Sequence, residues 1–162
     1  VTTTTTAAPA PQPLSVEQQI AAQVVTLLNA HAFTVDFTAE RKYQVRTDLE
    51  ETESLVVSVI AQSKTRERSS RISNECQYAV QVAVQQRIDP TDAEQGDALS
   101  YLVEEIADYL DNDWQMEIDG CQVSLIGEEA NPLWLQDHLL TLRQFTNVTT
   151  YTFTVERERN PT

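Results

Sequence analysis

Glycine, positive charge, cysteine and histidine are all scarce in this 162-residue chain, and each scarcity removes a class of chemistry. The three glycines, Gly96, Gly120 and Gly127, do not have GxGxxG or GxxxxGK[ST] spacing, so both glycine-rich phosphate cradles are excluded. Eleven Lys and Arg stand against 25 Asp and Glu, a net charge of -14, and such a surface repels duplex nucleic acid from most of its area. Cys76 and Cys121 are too few for a disulfide framework, and reduced thiols are expected. His31 and His138 lack metal-ligating neighbours at helical spacing, so a zinc site would need one of the distant cysteines. The longest nearly apolar run, Leu55 to Ala61, is far too short to span a bilayer. Val1 to Pro13 has neither a basic nor an apolar leader region, so no secretory signal is visible and the sequon at Asn147 carries no meaning.

Catalytic sets fail on spacing. Asp36, Glu40 and Lys42 superficially match the carboxylate and lysine set of metal-dependent nucleases, but the two acids should come from separate strands. Asp111, Asp113 and Gln115 begin like a calcium loop, yet Met116 stands where glycine is required and Gln122 where glutamate is. No GxSxG or nucleophilic-cysteine motif occurs. No enzyme, cofactor or metal is expected.

What is present is a 41% hydrophobic composition, ordinary for one globular domain whose acidity lies on its surface. Residues 1–14 form a Thr- and Pro-rich arm, 15–155 the domain and 156–162 a C-terminal tail. Ser15 and Gln18 have capping-box spacing, and Ile20, Val24, Leu27 and Leu28 predict an amphipathic helix to about Ala30. Phe33, Val35 and Phe37 alternate with polar residues and predict a strand, with Tyr43 and Val45 in an edge segment. Leu55–Ile60 and Gln77–Ile88 predict two long strands around a polar loop, Gln62–Asn74. Thr91 with Glu94 predicts the cap of a second helix carrying Leu99, Leu102, Val103, Ile106 and Leu110. A turn at Asp119 and Gly120, a strand through Cys121, Val123 and Leu125, the apolar cluster Leu133, Trp134 and Leu135 ahead of a short helix through Leu142, and a last strand with Tyr151, Phe153 and Val155 on one face complete the pattern. The expected class is α+β: a mixed, mostly antiparallel sheet, two main helices packed on one face and the other face open.

Charge is unevenly placed. Seven of the eleven basic residues fall in two connections: Arg41, Lys42 and Arg46 in one, Lys64, Arg66, Arg68 and Arg71 in the hairpin. The second helix and its exit are acidic, with Glu104, Glu105, Asp108, Asp111, Asp113, Glu117 and Asp119. One reading is two solvated surfaces; the sharper one is a self-complementary subunit whose basic hairpin meets the acidic helix of a neighbour.

The order of pieces, with SSR at Ser69–Arg71, YAVQVAVQQRI, LSYLVEEIADYL and RQFTNVTTYTFTV at Arg143–Val155, resembles the tail-terminator (tail-completion) proteins of long-tailed bacteriophages over about Ser15 to Val155. The resemblance implies a virion protein, assembled in the host cytoplasm, whose homo-hexameric ring caps the tail tube, stops its polymerisation and presents a surface to the head–tail connector. It places Arg71 and Phe145 at family positions. Partners would be other copies of the chain, the tube protein and the connector or neck protein, and DNA would pass an acidic channel without specific binding. Another neck, joining or tail-tube component is the alternative. The Thr- and Pro-rich arm is no part of the family pattern.

Overall fold

The computed structural model describes residues 10–45, 51–112 and 116–158. Among them the element order is α1 (Val16–Ala30), β1 (Ala39–Arg41), a 3-10 turn (Glu51–Glu53), β2 (Val56–Arg68), β3 (Ser73–Arg87), α2 (Ala93–Asp111), β4 (Met116–Ile118), β5 (Cys121–Glu129), a π-helical turn (His138–Leu142) and β6 (Gln144–Glu158). The class is α+β, with a mixed sheet in the order β1-β2-β3-β6-β5-β4. Only β1 runs parallel to its neighbour; the β2–β3, β3–β6, β6–β5 and β5–β4 pairs are antiparallel.

The sheet is built around β3 and β6, which pair from Ser73↔Glu158 to Arg87↔Gln144. Period-two alternation sends Cys76, Tyr78, Val80, Val82 and Val84 to one face, opposite Val155, Phe153 and Tyr151 in register. These side chains and the buried stripes of both helices, including Ile20, Val24 and Leu28 of α1 and Leu99, Leu102 and Ile106 of α2, form one hydrophobic cluster. The helices are tied to each other and to the sheet by polar bonds. The Tyr109 hydroxyl of α2 donates to the Leu27 carbonyl (3.2 Å), and Asn29 at the end of α1 exchanges two bonds with the Ala39 backbone (3.0 and 2.7 Å).

Several local expectations give way to tertiary packing. Phe33–Phe37 is not a strand: Phe33 packs edge-on to His31 (4.6 Å between centroids) and Tyr109 (5.5 Å), so this aromatic segment covers the end of α2 instead of lining the sheet. The strand comes later, at Ala39–Arg41, and Tyr43 is exposed. Ser15 holds the N-cap position of α1 without a side-chain cap bond. The cap of α2 is Asp92, which accepts from the Glu94 N–H (3.1 Å); Thr91 instead donates to Asp89. By contrast, the short helix expected after the Leu133–Leu135 cluster is present: residues 136–142 are helical and close in the π-helical turn His138–Leu142, while the Leu135 N–H before them is committed to the Thr146 carbonyl (2.9 Å).

Two larger corrections matter for function. The polar stretch Gln62–Asn74 is not a long loop: β2 continues to Arg68, β3 begins at Ser73, and only residues 69–72 turn. Backbone pairing extends strands into sequence with no apolar face, because the ladder with β3, itself paired to β6, satisfies the N–H and C=O groups. Second, the reverse face of the sheet is not fully open. Ser58, Ala83, Gln85, Gln144 and Thr146, on that face by register, are buried, and His138 Nδ1 of the π-helical turn lies 3.0 Å from Thr146 Oγ1.

The buried Cys76 and the half-buried Cys121 are both unbridged. Of the N-terminal arm, residues 10–14 are exposed and in no regular element, and residues 1–9 lie outside the described residues. The same holds for Arg46 and Asp113, and in the C-terminal tail for residues 159–162.

Candidate interaction surfaces

The β2–β3 hairpin ends in a tongue. Beyond Ala61, β2 has lost β1 as a partner, since the parallel ladder ends at Arg41↔Val59; β5 stays paired to β6 as far as Val123↔Val155, level with Arg66, and past that point β2, β3 and β6 continue to the tip. A β-bulge at Gln62 shifts the alternation of β2 by one residue. Val57, Val59 and Ala61 lie on the face of Tyr78 and Tyr151, opposite Val84, Val82 and Val80. After the bulge that face receives Lys64, Arg66 and Arg68, opposite Tyr78, Cys76 and Asn74. Arg157, opposite Asn74 on β6, joins them and pairs with Asp119 at 3.8 Å. The reverse face of the same tongue carries Glu67, Glu75, Glu156 and Glu158. This end of the sheet therefore carries exposed cations on β2 along the face of Tyr78 and Cys76, which are themselves buried in the hydrophobic cluster, and carboxylates on the reverse face.

At the tip, the Ser69 and Ser70 N–H groups donate to the Ser73 carbonyl (3.3 and 3.1 Å), and the Ser73 hydroxyl donates to Glu156 Oε1 (2.8 Å). This closes the turn and leaves Arg71 and Ile72 exposed at its end, Ile72 by 72%. Lys64, Arg66 and Arg68 are exposed, and none of the three enters an ion pair among the described residues. Burial raises the phenol of Tyr78 beneath them, with the Cys76 thiol adding and Arg157 opposing.

A second surface lies between α2 and the β5–β6 edge. Val103, Glu104, Ala107 and Asp108 recur at helical spacing on α2 and face Glu128, the segment around Trp134, and Phe145, Asn147 and Thr149 of β6 across a groove of about 370 Å³. Asn147 Nδ2 donates to the Leu133 carbonyl, and Thr149 Oγ1 donates to Asn147 Oδ1 (2.9 Å), which fixes the Trp134 segment along the groove. The Trp134 ring lies 6.5 Å from that of Phe145. The groove thus has an aromatic floor and a rim of Glu104, Asp108 and Glu128. Burial raises the Glu128 carboxyl, and the charges of Asp111 and Asp108 push it further up. Burial likewise raises the Tyr151 phenol, reinforced by Glu128 and Asp108.

No protein-family model and no curated protein matches the chain. Among solved structures it is similar to the sheath/tube terminator, in the extended state, of an extracellular contractile injection system, PVC. The identity is 12% and the TM-score 0.48, over 94% of this chain and 59% of that one. This chain therefore spans less than two thirds of that protein.

The anticipated contact residues separate into three groups. Lys64, Arg66 and Arg68 are brought together on one face of the tongue, and Arg71 sits at its tip with interactions of its own. Glu104 and Asp108 line the groove, whereas Glu105 is engaged within the chain: it accepts from the Thr34 hydroxyl (2.8 Å) and N–H (3.4 Å) and pins the aromatic segment to α2. Phe145 is 4% exposed and serves as groove floor. Sequence reasoning missed Glu128, which lies at the end of β5 beyond the last alternating apolar residue Leu125, and Trp134, read only as part of an apolar cluster ahead of a short helix. Among the described residues no group of His, Cys, Asp and Glu could hold a metal ion, and no helix is long and apolar enough to cross a membrane.

Proposed function

We propose that this chain is a structural terminator subunit of a phage-type tail. In this reading copies of it form a hexameric ring on the end of the tail tube, stop its growth, and offer a second surface to the head connector, while DNA passes a wall of net negative charge. Its place is the virion, after assembly in the host cytoplasm.

The observation that supports the reading most is the pairing of β3 with β6. The two segments that carry the resemblance, YAVQVAVQQRI and RQFTNVTTYTFTV, lie far apart in the chain yet are central neighbours in the sheet. Both helices then belong on the face that carries Tyr78, Tyr151 and Phe153. Their buried stripes share that cluster, whereas the buried Ile60 and Ala83 of the reverse face lie outside it. A charged hairpin end at the margin of such a body suits a subunit that is held by neighbours and not by a substrate.

A tube that grows by repeated head-to-tail contacts is an open heterologous assembly with no intrinsic stop. Removing a terminator should therefore yield headless tails, many of them longer than normal, beside DNA-filled heads without tails. Electron microscopy of a lysate lacking this chain tests the reading. Normal tails joined to heads would overturn it, and complete loss of tails would assign the chain to the tube.

A further inference from the structure

We infer that the acidic groove between α2 and β5 is the seat for the basic face of the tongue of a second copy of this chain. Lys64, Arg66 and Arg68 would lie along Glu104, Asp108 and Glu128. The inference rests on the reading that this protein assembles with copies of itself, and it names the two surfaces that do so.

Three observations carry it. The first is spacing. Alternate residues on a strand advance about 6.6 Å, and residues four apart on a helix advance about 6 Å. A row of three cations on β2 therefore runs nearly in step with the Glu104 and Asp108 row on α2, over which Glu128 closes from β5. The second is chemistry: an aromatic floor with Trp134 at its edge and carboxylates on its rim suits a planar guanidinium, which can stack on the indole and bond the carboxylates in a fork. The third is what each surface lacks alone. Lys64, Arg66 and Arg68 have no ion-pair partner among the described residues. The groove gathers the carboxylates of Glu104, Asp108 and Glu128 on one rim, and cations from outside would relieve the repulsion among them.

The tongue and the groove are different patches of one chain, so the contact is heterologous: each copy gives its tongue to one neighbour and its groove to another. Such a contact closes into a ring when the rotation permits.

The test is a charge swap read by analytical ultracentrifugation. A tongue variant (Lys64→Glu, Arg66→Glu, Arg68→Glu) and a groove variant (Glu104→Lys, Asp108→Lys, Glu128→Lys) should each retain the far-UV circular dichroism of the wild type. Each should lose self-association by about 30-fold or more. Mixing the two variants should restore association, because each then presents the charge the other needs. If either variant fails to fold, its neutral counterpart with Gln at the same positions replaces it and should weaken association in the same direction. Arg66→Lys with Arg68→Lys should weaken it less than charge reversal does, since charge remains and the fork is lost. Wild-type protein that stays monomeric at its highest soluble concentration overturns the inference, as do variants that associate like the wild type or a mixture that recovers nothing. Those outcomes leave the terminator reading to be decided separately by the lysate experiment.

Discussion

At the scale of single residues, the polar side chains that matter are those that close backbone groups. Asp92 caps α2 through the Glu94 N–H, whereas Ser15 occupies the equivalent position on α1 without a cap bond. Asp92→Ala should cost about 1 kcal/mol in chemical denaturation, and Ser15→Ala should stay within about 0.5 kcal/mol; equal effects would contradict the geometry. Asn147 is 2% exposed and satisfies both Leu133 and Thr149. Asn147→Leu should destabilise by about 1–3 kcal/mol by stranding those partners. Glu128 supplies a pH dependence of known sign. Its carboxyl is raised above 4.5, so the fold favours the protonated form; that contribution is complete below about pH 4.5 and is lost as pH rises through the raised value. Glu128→Gln should therefore become progressively more stable than the wild type as pH rises through that window. Urea titrations at a series of pH values would show it, and a difference that shrinks with rising pH would refute the assignment.

At the scale of elements, the bulge at Gln62 decides which way the basic residues point. Counted by strict alternation from Val57, Lys64, Arg66 and Arg68 would share a face with Ser58 and Ile60, on the reverse side of the sheet. The extra residue moves them to the face of Cys76 and Tyr78. Turn chemistry is local by contrast. Asp119 (φ 51°) and Gly120 (φ 77°) both take left-handed conformations in the two-residue link between β4 and β5. Gly120→Val should cost about 1 kcal/mol or more, because a β-branched side chain is strained there; differential scanning calorimetry would measure the fall in melting temperature.

For the whole molecule, the core and the surfaces are separable. The hydrophobic cluster uses β-strand alternation and two helix stripes, and the charged side chains of tongue and groove, Lys64, Arg66, Arg68, Glu104, Asp108 and Glu128, lie outside it although Tyr78 and Phe145 beneath them belong to it. Residues 10–14 are exposed and belong to no helix or strand. Deleting residues 1–13 should accordingly leave stability within about 0.5 kcal/mol of the full chain. A larger loss in thermal melts would mean that the arm packs on the domain, and an unchanged melt with impaired assembly would give the arm a docking role.

The sequence by itself determined the elements whose signal is apolar and periodic: α1, α2, β3 and the final strand, with Tyr151, Phe153 and Val155 on one face. Water drives those faces inward whatever else the chain does, so their spacing is enough. The same rule misjudged Phe33–Phe37, whose alternating aromatics bury against Tyr109 and not in a sheet. It also stopped β2 at Ile60, because nothing apolar marks the residues that follow. Their extended form, the face on which Lys64, Arg66 and Arg68 stand, and the meeting of Glu128 with Asp108 and Trp134 were decided only by the tertiary structure. Backbone pairing to a distant strand is indifferent to side-chain type, and no local pattern records which distant residues a fold brings together.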